Sequence, residues 1–232
     1  YYEPSETFQP RLVDGVRLSD DEKALLNKLQ EATAILQFKL ESQLIKRRPD
    51  FQLEHRDVLH FIDFSEKTIK LGTEVYELTD FQAPTVNPEQ PESLTAEEEK
   101  IISHLLNNFR SSDKLKRHVE FLQEKGAMYL SYNGNLLIHG CLPLHENGDF
   151  KSFTVNKEAH AGRDLLDFFD QEVRKCLAHP EKSEDLATDL MWYLWVGECS
   201  SLFGKTAMTT FERYYIKDKS THVEKKNPYY QL

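Results

Sequence analysis

The stretch Asn135–Pro143, which reads Asn-Leu-Leu-Ile-His-Gly-Cys-Leu-Pro, decides the fold class of this chain. Its three consecutive apolar residues, ending at Ile138, predict a central strand buried in the core of a sheet. His139 stands where that strand ends, and Gly140 lets the backbone turn because it has no Cβ. Functional groups of α/β sheets collect at the carboxyl ends of strands, so we expect the imidazole to face a cleft.

The preceding residues supply a partner strand. Residues 128–132 alternate in the manner of a strand, and Asn133-Gly134 separates them from the apolar run. This dipeptide is the strongest short hairpin signal, because a type I′ turn needs positive φ at both positions. We therefore interpret Asn133 as a turn residue and expect a β-hairpin that leads into His139.

Helical periodicity dominates the rest of the chain. A capping box at Ser19 and Glu22 begins a long helix over 19–48, which Pro49 stops. A small hairpin is predicted over 67–78, and three prolines in 81–93 mark the best internal boundary. Further helices are predicted after Thr95, after Ser112, over 162–178 and over 183–197, with a short strand over 152–155.

Composition excludes several classes of protein. A net charge of −10 argues against a nucleic-acid or anionic-membrane partner. No apolar run approaches the roughly 20 residues needed to cross a bilayer. Three scattered cysteines without Cys-x-x-Cys spacing indicate free thiols in a reducing cytoplasm. We therefore expect a cytoplasmic protein with no membrane and no nucleic-acid partner.

Several long stretches resemble one family. Besides the histidine segment, these stretches are Leu29–Leu40, Leu44–Pro49, Ala161–Asp167, Asp185–Trp195, Ser200–Lys205, Met208–Tyr214 and Glu224–Tyr230. They are similar to the class III fructose-1,6-bisphosphatases of bacteria, which belong to the calcineurin-like metallophosphatase superfamily. The resemblance covers nearly the whole chain.

Part of the superfamily's metal-binding pattern is missing. The chain contains no Asp-x-His; Gly148-Asp149 is followed by Phe, and Gly134-Asn135 is followed by Leu. No glycine precedes a histidine. We therefore expect this chain to be a middle segment of a longer phosphatase. By itself, the segment is expected to hydrolyse no sugar bisphosphate.

The resemblance also implies a fold. It implies an α/β chain, in detail an α+β segment that forms part of a calcineurin-like metallophosphatase sandwich with a helical insertion. Residues 1–92 would be the helical insertion or cap, with helix 19–48 and hairpin 67–78. Residues 93–232 would belong to the metallophosphatase catalytic domain.

For chemistry, the resemblance implies metal-assisted hydrolysis of the 1-phosphate of fructose 1,6-bisphosphate, in gluconeogenesis. Two divalent cations, with manganese the expected metal, would be held partly by His139 and partly by residues outside this chain. Neutral imidazole is a common ligand for such ions. The catalytic residues stay unknown.

The C-terminal tail, residues 201–232, is net +3, whereas the rest of the chain is net −13. Its cations are candidates for holding sugar-phosphate oxygens: Lys205, Arg213, Lys217, Lys225 and Lys226. A solvated surface network of ion pairs explains them equally well. Arg213 would be ordered by Thr209 and Glu212.

Nearby, we interpret Cys141 as a small buried or semi-buried group and His145 as a loop residue. Two other functions stay open. One is a protein phosphatase of the same superfamily, and the other is a non-catalytic helical module that binds a partner through the leucine face of 25–44. The sequence leaves open whether the protein forms a homo-oligomer.

Overall fold

The structure, a computed structural model, describes residues 1–231. The chain divides into two compact units. The first comprises 1–47, 53–102 and 209–223, and the second comprises 48–52, 103–208 and 224–231. Whether 1–92 is a cap and 93–232 belongs to a catalytic domain stays a prediction, although 209–223 group with the N-terminal residues.

The first unit is built around helix α1, Asp20–Arg47. Ser19 begins it as expected: the Ser19 amide donates to Glu22 Oε2 at 2.8 Å, and the Glu22 amide donates to Ser19 Oγ at 3.3 Å. Helix α1 ends at Arg47, because Pro49 disfavours helical backbone in the residue before it. A 3₁₀ turn, Pro49–Phe51, follows in the second unit.

A three-stranded antiparallel sheet completes this unit. Its strands are β1 (Ile62–Asp63), β2 (Thr68–Leu71) and β3 (Glu74–Glu77), in that order. The hairpin predicted over 67–78 is therefore confirmed, with Leu71 opposite Glu74. Short helix α6, Thr210–Tyr215, joins the core, which includes Ile35, Phe38, Leu59, Ile69, Phe211 and Tyr215.

The second unit combines helices with two separate hairpins. Its elements are α3 (Asp113–Lys125), β4 (Tyr129–Tyr132), β5 (Asn135–Ile138), β6 (Ser152–Val155), β7 (Glu158–Ala161), α4 (Gly162–Ala178) and α5 (Leu186–Val196). Helix α2, Ala96–Arg110, begins in the first unit and ends in the second. Strand β7 was not predicted. Helix α5 begins three residues later than expected, at an Asp185 cap whose carboxylate accepts from the Thr188 amide at 2.8 Å.

Aromatic rings fill the core of the second unit. The ring of Phe153 lies 4.6 Å from that of Tyr193 and 5.6 Å from that of Phe169, measured between centroids. The ring of Phe51 lies 5.0 Å from that of Tyr193 and 5.9 Å from that of Phe153. These contacts join β6, α4 and α5 around one apolar centre. By contrast, Trp195 is 72% exposed and does not take part.

The architecture is a mixture of helices and small antiparallel sheets, as the mixed α/β expectation required. The calcineurin-like sandwich stays a prediction. Within residues 1–231, no helix combines the length and the apolar character that a transmembrane segment needs.

Candidate functional site

The β4–β5 hairpin carries His139 as predicted, but its strands are not buried. Asn133 and Gly134 adopt φ of 50° and 75°, which a type I′ turn requires, and Tyr129 lies opposite Ile138. Leu136 and Leu137 are 53% and 54% exposed. The prediction of a central core strand is therefore wrong for the described residues, because β5 pairs with β4 alone and the hairpin leaves apolar side chains uncovered.

His139 lies at the exposed end of this hairpin. The chain then turns at Gly140, whose φ of +80° is one that residues with a side chain rarely adopt. A Cβ here would also overlap the carbonyl oxygen of Ser201. The imidazole is thus accessible, and the backbone that follows it is held against another part of the second unit.

Three segments meet where the chain leaves His139, and we call them the histidine junction: residues 140–144, 200–206 and 224–230. The Cys141 amide donates to the Ser201 carbonyl at 3.0 Å. Asn227 is fully buried. Its side-chain Oδ1 accepts a hydrogen bond from the Leu144 backbone amide at 3.2 Å, and its backbone amide donates to the Gly204 carbonyl at 3.0 Å. The junction fixes the position of the backbone immediately after the histidine.

Three of the predicted substrate-binding cations belong to this junction. Lys205 and Lys226 face each other in an antiparallel bridge, and the Thr206 amide donates to the Lys225 carbonyl at 2.9 Å. Lys205 forms an ion pair with Glu224, while Lys225 and Lys226 are exposed. The structure therefore brings Lys205, Lys225 and Lys226 together on segments that contact the residues following His139.

The other two candidates, Arg213 and Lys217, lie in the first unit. Arg213 donates from Nε to Thr209 Oγ1 at 3.1 Å and from one terminal nitrogen to the His222 carbonyl at 2.9 Å. Thr209 thus orders the guanidinium as expected. These bonds hold the turn around α6 together, and a role for either cation in binding substrate stays a prediction.

Cys141 and His145 have the structural roles expected of them. Cys141 is fully buried, and burial raises the pKa of its thiol to about 11, against the opposing effect of a hydrogen bond with Tyr230. Such a thiol is protonated at neutral pH and is a poor nucleophile. His145 is exposed in the loop before β6.

Sequence reasoning did not identify Asn227 or Ser201. Both are fully buried, and Asn227 Nδ2 and Ser201 Oγ have no hydrogen-bond partner among the described protein atoms. The Asn-Pro pair at 227–228 could have indicated the role of Asn227, since asparagine before proline often begins a turn. In the structure, Asn227 Oδ1 accepts from the Tyr229 amide at 3.0 Å and so caps the 3₁₀ turn Pro228–Tyr230.

The fit of a metal ion depends on His139. Its imidazole can supply one ligand, but the described part of the chain holds no group of three or more His, Cys, Asp or Glu side chains that could bind an ion. The described residues therefore do not form a complete metal site, and the role of His139 as one ligand stays a prediction.

Comparison of the whole chain with known proteins identifies its family. The chain belongs to the Firmicute fructose-1,6-bisphosphatase family, whose pattern matches residues 1–232.

Individual relatives agree. The chain is 98% identical over 232 residues to the fructose-1,6-bisphosphatase class 3 of Lactococcus lactis subsp. lactis. It is 53% identical to that of Streptococcus agalactiae serotype Ia and 50% identical to that of Bacillus velezensis. In each case all of this chain is matched, but it spans only 36% of the relative's length. No solved structure matches the chain.

Proposed function

We propose that the protein carrying this chain hydrolyses the 1-phosphate of fructose 1,6-bisphosphate, with two divalent cations, manganese being the expected metal. The observation that supports this most strongly is the membership of the whole chain in the Firmicute fructose-1,6-bisphosphatase family. The proposed setting is gluconeogenesis in the cytoplasm.

His139 is the proposed metal ligand. It is exposed at the end of β5, and the histidine junction restrains the backbone that follows it. A bound divalent pair would polarise the phosphate and supply hydroxide near neutral pH. The contribution of this chain is to present the imidazole from a restrained backbone position, so that less backbone freedom is lost when the ion binds.

Lys205, Lys225 and Lys226 are the proposed phosphate-binding cations. Their clustering beside the histidine junction supports this role, because an acidic protein needs its positive charge concentrated where an anionic substrate binds. Lys225 and Lys226 are exposed and lack a described ion pair, so they are better candidates than Lys205, which is paired with Glu224.

Exposed apolar surface in the second unit supports the view that this chain functions within a longer protein. Apolar side chains of α2, α3 and the β4–β5 hairpin that are more than half exposed include Phe109, Phe121, Leu122, Tyr132, Leu136 and Leu137. So many large apolar side chains exposed on three consecutive elements are consistent with surface that is covered in a longer protein. We propose that the remaining length of the family's proteins covers it.

The test is a substitution in a full-length protein that contains this chain. With manganese and fructose 1,6-bisphosphate, His139→Ala is expected to lower kcat/KM by at least about 100-fold, since a lost ligand weakens metal-assisted chemistry by several kcal/mol. Bound manganese, measured by metal analysis, should fall in parallel. His145→Ala, at an exposed loop histidine, is the matched control and should retain full activity.

Two outcomes would contradict the proposal. One is undiminished turnover and metal content in the His139→Ala protein. The other is a preference of the full-length protein for phosphopeptides over the sugar bisphosphate, which would favour a protein phosphatase of the same superfamily.

A further inference from the structure

The β4–β5 hairpin that carries His139 is attached to helix α4 through the side chain of Tyr129. The Tyr129 hydroxyl donates to Asp167 Oδ1 at 2.9 Å and accepts from Arg163 Nε at 2.9 Å. Arg163 Nε also lies 3.5 Å from Asp167 Oδ2, so each of the three side chains contacts the other two. We call Tyr129, Arg163 and Asp167 the hairpin clamp.

The clamp acts on the end of the hairpin that leads into His139. In the strand register Tyr129 lies opposite Ile138, the residue before the histidine. Opposite residues of an antiparallel pair have Cα atoms only about 4.5–5.5 Å apart, so a bond that holds Tyr129 also restrains the last residue of β5. At the other end of the hairpin, Tyr132 lies opposite Asn135. Tyr132 is 70% exposed, and its hydroxyl has no hydrogen-bond partner among residues 1–231.

A second contact from α4 holds the chain just before β4. The Met128 amide donates to Asp170 Oδ1 at 3.1 Å. Asp170 is held in turn by Arg174, whose Nε donates to the other carboxylate oxygen at 2.6 Å. The terminal nitrogens of Arg174 donate to the carbonyls of Gln123 and Gly126 at 2.6 and 2.9 Å. Helix α4 thus fixes the backbone that enters the hairpin.

His139 therefore stands between two attachments. The clamp holds β4 opposite Ile138, and the histidine junction holds the backbone after the imidazole, where the Cys141 amide donates to the Ser201 carbonyl at 3.0 Å. Within the described chain β5 pairs with β4 alone. Its pairing with β4 and the two attachments are thus the contacts that restrain the strand presenting the imidazole.

We propose that Tyr129 is a positioning residue for His139, and that its hydroxyl, bonded to Asp167, holds the end of β5 and so restrains the imidazole. This inference rests on the proposed function, in which His139 is a metal ligand. Tyr129 acts through the strand and needs no contact with the ion or the substrate. Loosening the clamp adds freedom that must be lost when an ion binds, so it weakens ion binding.

The first measurement needs no metal. Amide hydrogen exchange is followed by mass spectrometry over residues 133–141 in the full-length protein, after a chelator has removed bound ions. Tyr129→Phe keeps the ring and removes the hydroxyl, and is expected to speed exchange in this segment at least about threefold. Tyr132→Phe removes the same atom from the same strand without breaking a described bond, and should exchange as the parent does. Equal rates in the parent and Tyr129→Phe would overturn the proposal.

The second measurement is manganese binding by equilibrium dialysis, combined with turnover of fructose 1,6-bisphosphate at increasing manganese. For Tyr129→Phe, the dissociation constant and the half-activating concentration are expected to rise at least about threefold. This is less than the roughly 10–100-fold typical of groups bonded directly to a ligand, because Tyr129 acts at one remove. The kcat at saturating manganese should match that of the parent. A merely structural role would lower the melting temperature without changing manganese affinity, and that result would refute the proposal.

Two substitutions of Asp167 test the bond itself. Asp167→Asn keeps an oxygen that can accept from the Tyr129 hydroxyl, and is expected to bind manganese as the parent does. Asp167→Ala removes the acceptor and should weaken binding as much as Tyr129→Phe. Combining Asp167→Ala with Tyr129→Phe should add no further loss, since both remove one bond. Additive losses would contradict the assignment of Asp167 as the partner.

His139→Ala, in the same assays, separates failure of this inference from failure of the proposed function. Loss of manganese and turnover in His139→Ala, together with parental behaviour of Tyr129→Phe, would refute the positioning role and leave the function standing. Retention of both properties by His139→Ala would refute the function, and the role of Tyr129 with it.

Discussion

The backbone of Gly140 lies so close to Ser201 that any side chain at residue 140 would overlap the Ser201 carbonyl oxygen. The same carbonyl accepts a hydrogen bond from the Cys141 amide at 3.0 Å. One contact thus both demands a glycine after His139 and fixes the direction in which the chain continues.

Gly140→Ala is therefore expected to lower the free energy of unfolding by about 3 kcal/mol or more, since it combines steric overlap with a φ of +80°. Gly134→Ala is the matched control. Its φ is also positive, at +75°, but nothing lies within 4 Å of the added Cβ, so a loss of only about 1 kcal/mol is expected. Urea unfolding measures both, and equal losses would show that the contact with Ser201 is unimportant.

A second prediction concerns Glu31, which is fully buried in the first unit. Burial, assisted by the nearby charge of Asp80, raises the pKa of its carboxyl to about 7. The folded protein therefore holds this proton more tightly than the unfolded chain does. The resulting stabilisation is complete below the unfolded pKa of 4.5 and is lost as pH rises through about 7.

Glu31→Gln is expected to remove this pH dependence and to make the protein more stable than the parent at pH 8, on the order of 1–3 kcal/mol. Thermal unfolding between pH 5 and 8 is the measurement. Glu22→Gln, on the same helix, is the control. Hydrogen bonds from Ser19 lower the pKa of Glu22, so this carboxylate changes the stability only at acidic pH, and its substitution should leave the slope between pH 5 and 8 unchanged. A Glu31→Gln protein with the slope of the parent would contradict the prediction.

A third prediction concerns the buried ion pair between Lys39 and Glu98. Lys39 Nζ donates to Glu98 Oε2 at 2.8 Å and to the Thr85 carbonyl at 2.7 Å, and its side chain is fully buried. Burial alone would raise the pKa of Glu98, but the hydrogen bond from Lys39 is the first of several contacts that hold it below its usual value.

Lys39→Met is expected to cost about 3–5 kcal/mol, because it leaves a buried carboxylate and a buried carbonyl without their partner. A double-mutant cycle with Glu98→Gln should show strong coupling between the two residues. The exposed pair Lys23–Asp20, with nitrogen and oxygen 3.0 Å apart, is the comparison and should show no measurable coupling. Coupling energies of similar size for both pairs would argue against the importance of burial.

Local structure was largely predictable from the sequence, because it depends on side chains a few residues apart. The helix predicted after Thr95 begins with a capping box, in which the Thr95 amide donates to Glu98 Oε2 at 2.8 Å. Ser112 begins α3, accepting from the Leu115 amide at 3.3 Å. The missed strand β7 has an equally local cause: its turn, Asn156-Lys157, has positive φ at both residues but lacks the glycine that signals such a turn.

The candidate site was predictable only in part. His139 at a strand end follows from neighbouring residues. By contrast, Asn227 reaches Leu144 across 83 positions, and no local pattern encodes that contact. The exposure of β5 in this chain could not be deduced either, because an apolar run indicates that a strand prefers to be covered, not which part of a protein covers it.

The final prediction tests that covering. Leu136→Ser with Leu137→Ser is expected to change the stability of the 232-residue chain by less than about 1 kcal/mol, because both side chains are already half exposed. Leu165→Ala, at a fully buried position of α4, should cost about 2–5 kcal/mol and serves as the control.

In the full-length protein the same double substitution is expected to cost several kcal/mol, since there the two leucines would contact the rest of the domain. Urea unfolding of both chain lengths provides the comparison. Equal, small effects in the two proteins would mean that the hairpin stays uncovered, and the exposed leucines would then need another explanation, such as contact with a second copy of the chain.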